Sequence, residues 1–443
     1  MNWSLLNIAK NYNYLRYSAG IAMMFNGFPL IFFIRDTLRI GPASSVFTAV
    51  FFGLALLLMI PTHIFQRFYK PNTILFNLGI GFLFITFYYF LFINYNGKAI
   101  ADIGNYVFLF GFLILLLHIP NDVGETLVTV LFVFSLFANI TLVYSLLTDP
   151  NWTPGMRAAV NFSNDTAQPG GNPHITARNA VICLVTALLL LGRTRGIITK
   201  LFLVFSVMFS LAVVVLSLAK SSYLGIGLML SAYLIFHFKV SSLFSAIGSV
   251  FKARNLVFLA LIFIGISYFL SKYASLFNLL LGYWDMFEDR IMDVIFTSLG
   301  VKLSETATID YSAMGRVSGF GEFVNTIFSW DVFFGRGYKN DYLDVPILES
   351  FVNHGVFGFL FFATFNFFVL LFAIREIRKY TNPISTFLAY FFISLTILLI
   401  TGGRPTDIAF WFPYLVMIRF LGIRYIDNYT SAIPQSPVTS VSV

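Results

Sequence analysis

Charged residues are scarce in this chain. Only 11% of its 443 residues are Asp, Glu, Lys or Arg, whereas 58% are hydrophobic and the mean hydropathy is +0.82. Soluble domains carry about a quarter charged residues, so this composition excludes an ordinary soluble fold. Aromatic residues make up 19% of the chain, as expected when much of the surface faces lipid. The composition predicts an integral membrane protein.

Cysteine is almost absent as well. The single Cys183 lies in an apolar run, which excludes an intrachain disulfide and a cysteine-rich metal site. The G-x-x-x-x-G-K-[ST] and H-E-x-x-H motifs do not occur, so neither nucleotide hydrolysis nor a zinc protease site is indicated. The formal charge of +8 does not indicate nucleic acid, because basic residues stand singly or in pairs between apolar runs. We expect no metal, no cofactor and no nucleic acid partner.

About twelve apolar segments are candidates for membrane spans, each of which takes about 20 residues. They lie near 14–34, 44–65, 73–95, 103–119, 125–147, 176–192, 197–217, 221–238, 256–281, 346–374, 383–401 and 408–424. Backbone polar groups inside lipid must bond within their own segment, so each span is predicted to be an α-helix. We therefore expect an all-α polytopic protein with one transmembrane domain, 1–424, and a disordered cytoplasmic tail, 425–443.

Basic residues mark the loops that we assign to the cytoplasm. They are Lys10, Arg16, Arg67, Lys70, Arg193, Arg195, Lys200, Lys239, Lys252, Arg254, Arg375, Arg378 and Lys379. If twelve spans alternate, both termini are cytoplasmic and two long loops, 148–176 and 282–345, lie outside. Loops of that length are usually functional or disordered.

The second long loop is predicted to contain two amphipathic helices suited to the membrane interface. In the first, apolar residues lie opposite acidic ones: Trp284, Phe287, Ile291, Ile295 and Leu299 against Asp285, Asp289 and Asp293. The second is predicted from Gly319 to Trp330, burying Phe320, Phe323, Val324, Ile327 and Phe328.

Cations gather on the predicted outer face, where the positive-inside rule disfavours them. They are Arg157, Arg178, Lys220, Arg316, Arg336, Lys339 and Arg404. Guanidinium groups fork onto phosphate oxygens, so several together could hold a pyrophosphate. Any one of them could instead contact a lipid headgroup or pair with an Asp. For Lys220, Arg316 and Arg404 together we favour a shared anion site.

Two titratable side chains stand at the start of the span near 346–374, and either could act as a general base. Glu349 is favoured, because a carboxylate at the membrane edge needs a partner. His354 could equally be a hydrogen-bonded interfacial histidine.

These elements follow one another in an order that resembles the Wzy-type O-antigen polymerase and O-antigen ligase superfamily, over roughly residues 150–424. The upstream segment runs from Arg157 to Asn179 and contains Asn172-Pro173-His174. A basic residue, Lys220, then stands in a tight turn between two spans. Next comes a long outer loop, in which Arg316 opens a helix that ends near Trp330.

The end of that loop carries the rest of the resemblance. A G-x-G turn is formed by Gly335 and Gly337, and a [DE]-S-x-[FL]-x₃-G-[VIL]-x-G pattern follows from Glu349 to Gly358 with slight slippage. Ligases of the superfamily usually have a His-Asn pair shortly after G-x-G. Here Tyr338 and the six residues after it include no histidine, which favours a polymerase.

The resemblance implies a membrane glycosyltransferase. It would polymerise undecaprenyl-pyrophosphate-linked oligosaccharide repeat units at the periplasmic face of the bacterial inner membrane, by metal-independent inverting transfer. Glu349 or His354 would be the base, and Lys220, Arg316 and Arg404 would neutralise the departing pyrophosphate. Further substrate contacts would come from Arg157, Arg178, Arg336 and Tyr338. Its partners would be the lipid-linked donor and acceptor and membrane lipids, with a Wzz-type chain-length regulator as a candidate.

Three alternatives stay open. The first is an O-antigen ligase that transfers the glycan to lipid A-core. The second is a polyprenyl-phosphate-sugar glycosyltransferase, which needs a carboxylate in its first outer loop; Asp36 stands there, but that loop is short and flanked by arginines. The third is a flippase or transporter, disfavoured because no internal repeat is visible and the apolar runs are nearly free of charge in their middles.

Overall fold

The computed structural model describes residues 5–41, 45–61, 67–93, 99–149, 152–153, 156–159, 173–237, 311–423 and 429–431, with isolated positions between 260 and 288. The side chains of 5–9, 311–317 and 429–431 lie outside this description. The predicted span 256–281 and the amphipathic helix beginning near Trp284 also lie outside it, as do most of the loop 148–176 and most of the tail 425–443.

Helices make up nearly all of the described structure. They are α1 (Leu5–Asn26), α2 (Phe28–Phe32) continued by a π-helix (Phe33–Thr37), α3 (Ser45–Met59), α4 (Thr73–Phe92), α5 (Ala99–Leu117), α6 (Val123–Thr148), α7 (Pro173–Leu191), α8 (Ile197–Ser217), α9 (Lys220–His237), α10 (Tyr311–Ile327), α11 (Asp331–Phe334), α12 (Pro346–Lys379), α13 (Pro383–Thr401) and α14 (Ile408–Phe420). Two short strands, β1 (Arg67–Tyr69) and β2 (Tyr429–Ser431), pair antiparallel.

Seven described helices are long and apolar enough to cross a membrane: α4 to α8, α12 and α13. The predicted all-α, multi-pass membrane protein is therefore confirmed at this level, whereas the number of twelve spans is not. Two of the predicted spans correspond to α3 and α14, which have only 15 and 13 residues, fewer than the roughly 20 that a span takes.

The first predicted span, 14–34, is wrong as a single straight helix. The helical segments Lys10–Asn26 and Phe28–Thr37 meet at an angle of 78°. Pro29, at the start of α2, has no N–H to donate and its ring clashes with the preceding turn, which breaks a helix. Gly27 fits the bend because a Cβ there would lie 2.2 Å from the Met23 carbonyl oxygen.

The short α14 lies at the centre of the bundle, and every residue from Phe410 to Phe420 is buried. Trp411 stacks on Phe82 of α4, with ring centroids 5.7 Å apart and planes inclined by 10°. It also lies against Phe365 of α12, at 5.8 Å. In lipid, helices associate through close packing rather than through the hydrophobic effect. This aromatic stack therefore joins α4, α12 and α14.

A polar seam runs through the buried faces of α1, α6, α7 and α8. The amide of Asn26 donates to Asn179 Oδ1 at 2.5 Å, and Asn179 donates to Asn139 Oδ1 at 2.7 Å. Asn139 in turn donates to Ser210 Oγ at 3.3 Å. Hydrogen bonds between helices in lipid are worth about 0.6–2 kcal/mol each. They fix the register of these four helices.

Contacts between segments distant in the chain define two ends of the bundle. At one end, Arg419 of α14 donates to the Leu116 carbonyl of α5 at 3.1 Å. At the other end, Lys339 pairs with Asp102 at the start of α5. The second end collects the loops that the basic residues assign to the outside, and we call it the outer end. Its periplasmic orientation is a prediction that rests on the positive-inside rule.

Candidate functional site

The helix α12 is broken near the outer end of the bundle. Gly355 has φ 65° and ψ −168°, which are not helical values, so the helical hydrogen bonds stop there. The carbonyls of Val352 and Asn353 are thereby freed. They accept hydrogen bonds from the N–H groups of Arg336, at 2.9 Å, and Gly337, at 3.0 Å. The G-x-G turn thus completes the broken helix.

Two glycines allow this close approach. A Cβ on Gly335 would lie 2.5 Å from the Asn353 carbonyl, and a Cβ on Gly355 would lie 2.3 Å from the Phe333 carbonyl oxygen. Both glycines also have positive φ, 67° and 65°, which other residues rarely adopt. The spacing of the G-x-G turn and the later glycine is therefore a packing requirement.

Asn353 ties the loop to the candidate base. Its Oδ1 accepts from the Asp341 N–H at 3.0 Å, and its Nδ2 donates to the Asp341 carbonyl at 2.9 Å. The same Nδ2 lies 3.4 Å from Glu349 Oε1. The Asn353 side chain therefore holds both the loop at Asp341 and the Glu349 carboxylate, which lies one helical turn earlier in α12.

Glu349 is buried, with only 1% of its surface exposed. It stands in the first turn of α12, where the helix dipole favours a negative charge. The Leu343 N–H donates to its Oε2 at 3.2 Å, and Arg404 Nη1 lies 3.6 Å from its Oε1. A buried carboxylate is tolerated when such partners surround it. The charged partner that a carboxylate at the membrane edge needs is here Arg404.

Arg404 reaches Glu349 from the α13–α14 turn. Its Nη1 donates to the Lys339 carbonyl at 3.2 Å, and its guanidinium carbon lies 4.8 Å from the centre of the Tyr342 ring. The Tyr342 hydroxyl donates to Asp344 at 2.9 Å. Burial, followed by this hydrogen bond, raises the pKa of Tyr342 to about 12. The phenol is therefore neutral at physiological pH and remains a hydrogen-bond donor.

Arg178 is a buried cation at the same end. Its Nη1 donates to the Ala409 carbonyl at 2.7 Å, whereas its Nε and Nη2 have no hydrogen-bond partner among the described residues. Asp407 is near enough to interact with it electrostatically, and the Asp407 N–H bonds to the Arg404 carbonyl at 3.1 Å. One turn, 404–409, therefore contacts Arg178 and carries Arg404.

Lys220 and Arg157 also lie at the outer end. Lys220 is the first residue of α9, and the neighbouring Ser221 Oγ is 3.0 Å from His174 Nδ1 at the start of α7. Arg157 is exposed, and its segment bonds to the end of α8 through the Ala158 N–H at 2.9 Å. These contacts connect the turns before α7 and α9, and each of the two cations has interactions with the protein.

Arg336 differs from the other predicted anion ligands, because three carboxylates surround it. Its guanidinium lies 2.9 Å from Glu322, 3.4 Å from Asp331 and 3.4 Å from Asp341. Three carboxylates of the protein thus more than neutralise the positive charge of Arg336. Arg336 holds α10, α11 and the following loop together, and its position does not support the interpretation as a pyrophosphate ligand.

His354 is completely buried. Aromatic rings surround it: Phe82 at 5.8 Å, Tyr89 at 5.3 Å and Tyr338 at 6.4 Å between centroids. Neither ring nitrogen makes a well-formed hydrogen bond within the described residues, and only the Ser350 carbonyl, one turn earlier, interacts with it. A general base must reach the proton that it removes. Aromatic rings rather than charged groups surround the His354 ring, whereas Glu349 lies beside Arg404, and this difference favours Glu349 over His354 as the base.

Tyr338 is likewise part of the interior, with 2% of its surface exposed. It packs against Phe90 at 5.4 Å and Tyr106 at 6.3 Å. The prediction that its ring contacts substrate is not supported, because a ring enclosed by two helices has no free face for a sugar.

No protein-family model matches this chain, and no curated protein matches it. The resemblance to O-antigen polymerases therefore rests on its residues alone.

Some of the predicted site features lie outside the described side chains. Arg316 lies in α10, but its side chain is outside the described residues, as is the acidic stripe of Asp289 and Asp293. Within the described residues, no group of three or more His, Cys, Asp and Glu side chains is placed to hold a metal ion.

Two residues of the site were missed by sequence reasoning. Asp102 is a buried carboxylate that lies 2.5 Å from Lys339 Nζ. It stands in the first turn of an otherwise apolar span, and an isolated acid in such a place is a signal that could have been used. Asn353 carries no such signal, because an amide one turn after Glu349 is unremarkable until the helix is seen to break.

Proposed function

We propose that the chain is a membrane glycosyltransferase that polymerises undecaprenyl-pyrophosphate-linked oligosaccharide repeat units at the periplasmic face of the bacterial inner membrane. One observation carries the proposal: the buried Glu349 carboxylate is held beside Arg404, at the bundle end where Arg178 has unpartnered nitrogens. A base next to anion-binding cations is what transfer from a pyrophosphate donor needs.

In the proposed reaction, a hydroxyl of the acceptor repeat unit attacks the anomeric carbon of the donor. The bond between that carbon and the pyrophosphate oxygen breaks, and its electron pair leaves with the pyrophosphate. Glu349 accepts the hydroxyl proton as the new glycosidic bond forms. Attack opposite the leaving group inverts the anomeric configuration.

The cations supply the electrostatic part of the reaction. At 3.6 Å, Arg404 Nη1 is too far from Glu349 Oε1 for a short hydrogen bond, so the guanidinium can turn towards an arriving phosphate. The Nε and Nη2 of Arg178 are buried and have no hydrogen-bond partner among the described residues, and they are proposed to bind the same anion once the donor enters the site. Lys220 and Arg316 are proposed to complete the neutralisation, which removes the need for a metal ion.

Among the alternative enzymes, the ligase shares the same chemistry and differs only in its acceptor. For the polyprenyl-phosphate-sugar glycosyltransferase, the candidate base Asp36 is held by Arg35 in two short hydrogen bonds, 2.6 and 2.7 Å. A carboxylate clamped by its neighbour is a poorer base than Glu349, which disfavours that alternative.

A transporter is the second candidate, because the bundle contains features typical of transporters. The helices break at Gly27 and Gly355, and the Asn26–Ser210 polar seam crosses the buried interior. Discontinuous helices frequently form substrate sites in transporters. Reconstituted protein that moves a lipid-linked glycan between leaflets without forming glycosidic bonds would favour this candidate.

The direct test is chain elongation by purified protein on lipid-linked repeat units, comparing Glu349→Gln with Glu376→Gln. Both carboxylates are buried and lie on α12, but Glu376 is at the opposite end and accepts from Thr381. We expect Glu349→Gln to bind donor and to form no polymer, whereas Glu376→Gln elongates normally. Full elongation by well-folded Glu349→Gln would eliminate Glu349 as the base.

A further inference from the structure

An exposed aromatic face on α10 and α11 is not explained by the proposed reaction. The sequence pattern predicts an amphipathic helix suited to the membrane interface, and the structure shows which of its apolar side chains pack on the protein and which do not. Phe323 is packed between helices, whereas Phe320, Phe328, Trp330 and Phe334 are 58%, 86%, 86% and 68% exposed. We call this surface, formed by Phe320, Ile327, Phe328, Trp330, Phe333 and Phe334, the aromatic face.

Among the described side chains of α10 and α11, the charged ones are Glu322 and Asp331. The two acidic side chains of this stretch, Glu322 and Asp331, both point to Arg336, at 2.9 and 3.4 Å. The polar side of α10 and α11 is thus turned towards the protein and the apolar side away from it. This arrangement would be unfavourable in water, where exposed apolar patches mark interaction surfaces.

The aromatic face is continuous with surfaces that face lipid. On one side, the Tyr89 hydroxyl at the end of α4 donates to the Phe334 carbonyl at 2.5 Å. The neighbouring Tyr88 and Phe92 of this candidate span are exposed. The patch therefore meets the outer rim of a transmembrane helix.

On the other side, α10 lies along α12. Phe323 packs on Phe351, with ring centroids 5.1 Å apart, and Phe351 packs on Phe359 at 5.6 Å. Phe357 and Leu360, on the outward side of α12, are exposed. The aromatic face therefore lies between two spans, at the level where their lipid-facing surfaces end.

We infer that α10 and α11 lie in the outer interfacial layer of the lipid bilayer, with the aromatic face inserted among the lipids. Aromatic side chains are enriched at this depth, and amphipathic helices bind there with the apolar face buried. This inference is independent of the proposed reaction.

The anchoring has a structural consequence for the site. The Phe333 carbonyl of α11 lies directly against Gly355 at the break in α12, and α11 leads into the G-x-G turn that fills the break. A lipid-anchored α11 therefore holds the loop that shapes the surroundings of Glu349. The candidate site then opens at the membrane surface rather than into bulk water.

Spin labels on single cysteines test the inference in proteoliposomes of phosphatidylethanolamine and phosphatidylglycerol. Phe328→Cys and Trp330→Cys report the aromatic face, Phe92→Cys is the lipid control, and Asn340→Cys, exposed on the loop, is the water control. The native Cys183 is buried, so unlabelled wild-type protein checks the background. Power saturation with oxygen and with a soluble nickel chelate gives the depth of each label.

We expect labels at 328 and 330 to resemble the label at 92, with high oxygen and low nickel accessibility, and the label at 340 to show the opposite. Nickel accessibility at 328 and 330 equal to that at 340 would overturn the inference. Dipolar broadening at both positions, with protection from both reagents, would also overturn it, because a second copy of the chain would then cover the face.

Discussion

Glu349 in the first turn of α12 and Arg404 in the turn between α13 and α14 meet at the outer end of the bundle, with 3.6 Å between Oε1 and Nη1. The carboxylate is 1% exposed, whereas the guanidinium side chain is 28% exposed. The base is thus buried while its cation faces the opening. This asymmetry leaves Arg404 free to contact a ligand.

Arg404→Lys should reduce elongation at least tenfold, a factor that corresponds to about 1.4 kcal/mol. Lysine keeps the charge but cannot bond to the Lys339 carbonyl and fork onto a phosphate at the same time. Steady-state elongation assays measure the effect. Arg193→Lys, at the opposite end, is the control and should elongate normally. Equal rates for the wild type and Arg404→Lys would show that Arg404 acts only as a counter-charge.

Arg178→Lys should abolish stabilisation by inorganic pyrophosphate. At a concentration 100 times its Kd, a ligand stabilises the folded state by about 2.7 kcal/mol, which a thermal unfolding assay in detergent detects. Arg336→Lys should keep the full response, because Arg336 is already surrounded by carboxylates. A full pyrophosphate response in Arg178→Lys would mean that the anion binds elsewhere.

Gly355→Ala should destabilise the protein and impair elongation. The new Cβ would lie 2.3 Å from the Phe333 carbonyl oxygen at a positive φ, and backbone strain of this kind costs about 1–3 kcal/mol. Gly227→Ala is the matched control, since nothing lies within 4 Å of its Cβ position in α9. Thermal unfolding should show a lower Tm for the first variant alone. An unchanged Tm for Gly355→Ala would contradict the docking of the G-x-G turn.

The orientation prediction is tested with Ser163→Cys and Ser312→Cys in a background without Cys183. Both positions belong to the loops assigned to the outside, so a membrane-impermeant thiol reagent should label them in intact cells. Labelling only after the membrane is opened would reverse the topology and place the outer end in the cytoplasm.

Elongation by purified components should persist in excess chelator, because protein cations are proposed to neutralise the pyrophosphate. The measurement is polymer length with and without the chelator. Activity that disappears and returns with a divalent ion would contradict this, and the acidic stripe of Asp285, Asp289 and Asp293 would then be the first place to search for ligands.

Part of the site could be predicted because it depends on local sequence. Glu349 was selected as a carboxylate at the start of an apolar span, and the structure gives it the partner that such a residue needs. Other assignments lack such support because they depend on distant residues. These assignments concern the place where α4, α11 and α12 pack together: the partners of Arg336, the enclosure of His354 and the burial of Tyr338. No short sequence pattern predicts how these helices pack.

That this is an α-helical membrane protein, and which loops carry the charges, can be read from the amino-acid sequence. Long apolar runs can satisfy their backbone groups in lipid only as helices, and this requirement is local. The bend in the first span, the break of α12 at Gly355 and the cations that keep nitrogens without a partner among the described residues become visible only in the folded chain. These features depend on close packing between segments far apart in the chain. Lys339 and Asp102, for example, are 237 residues apart, and nothing near either residue in the sequence identifies the other.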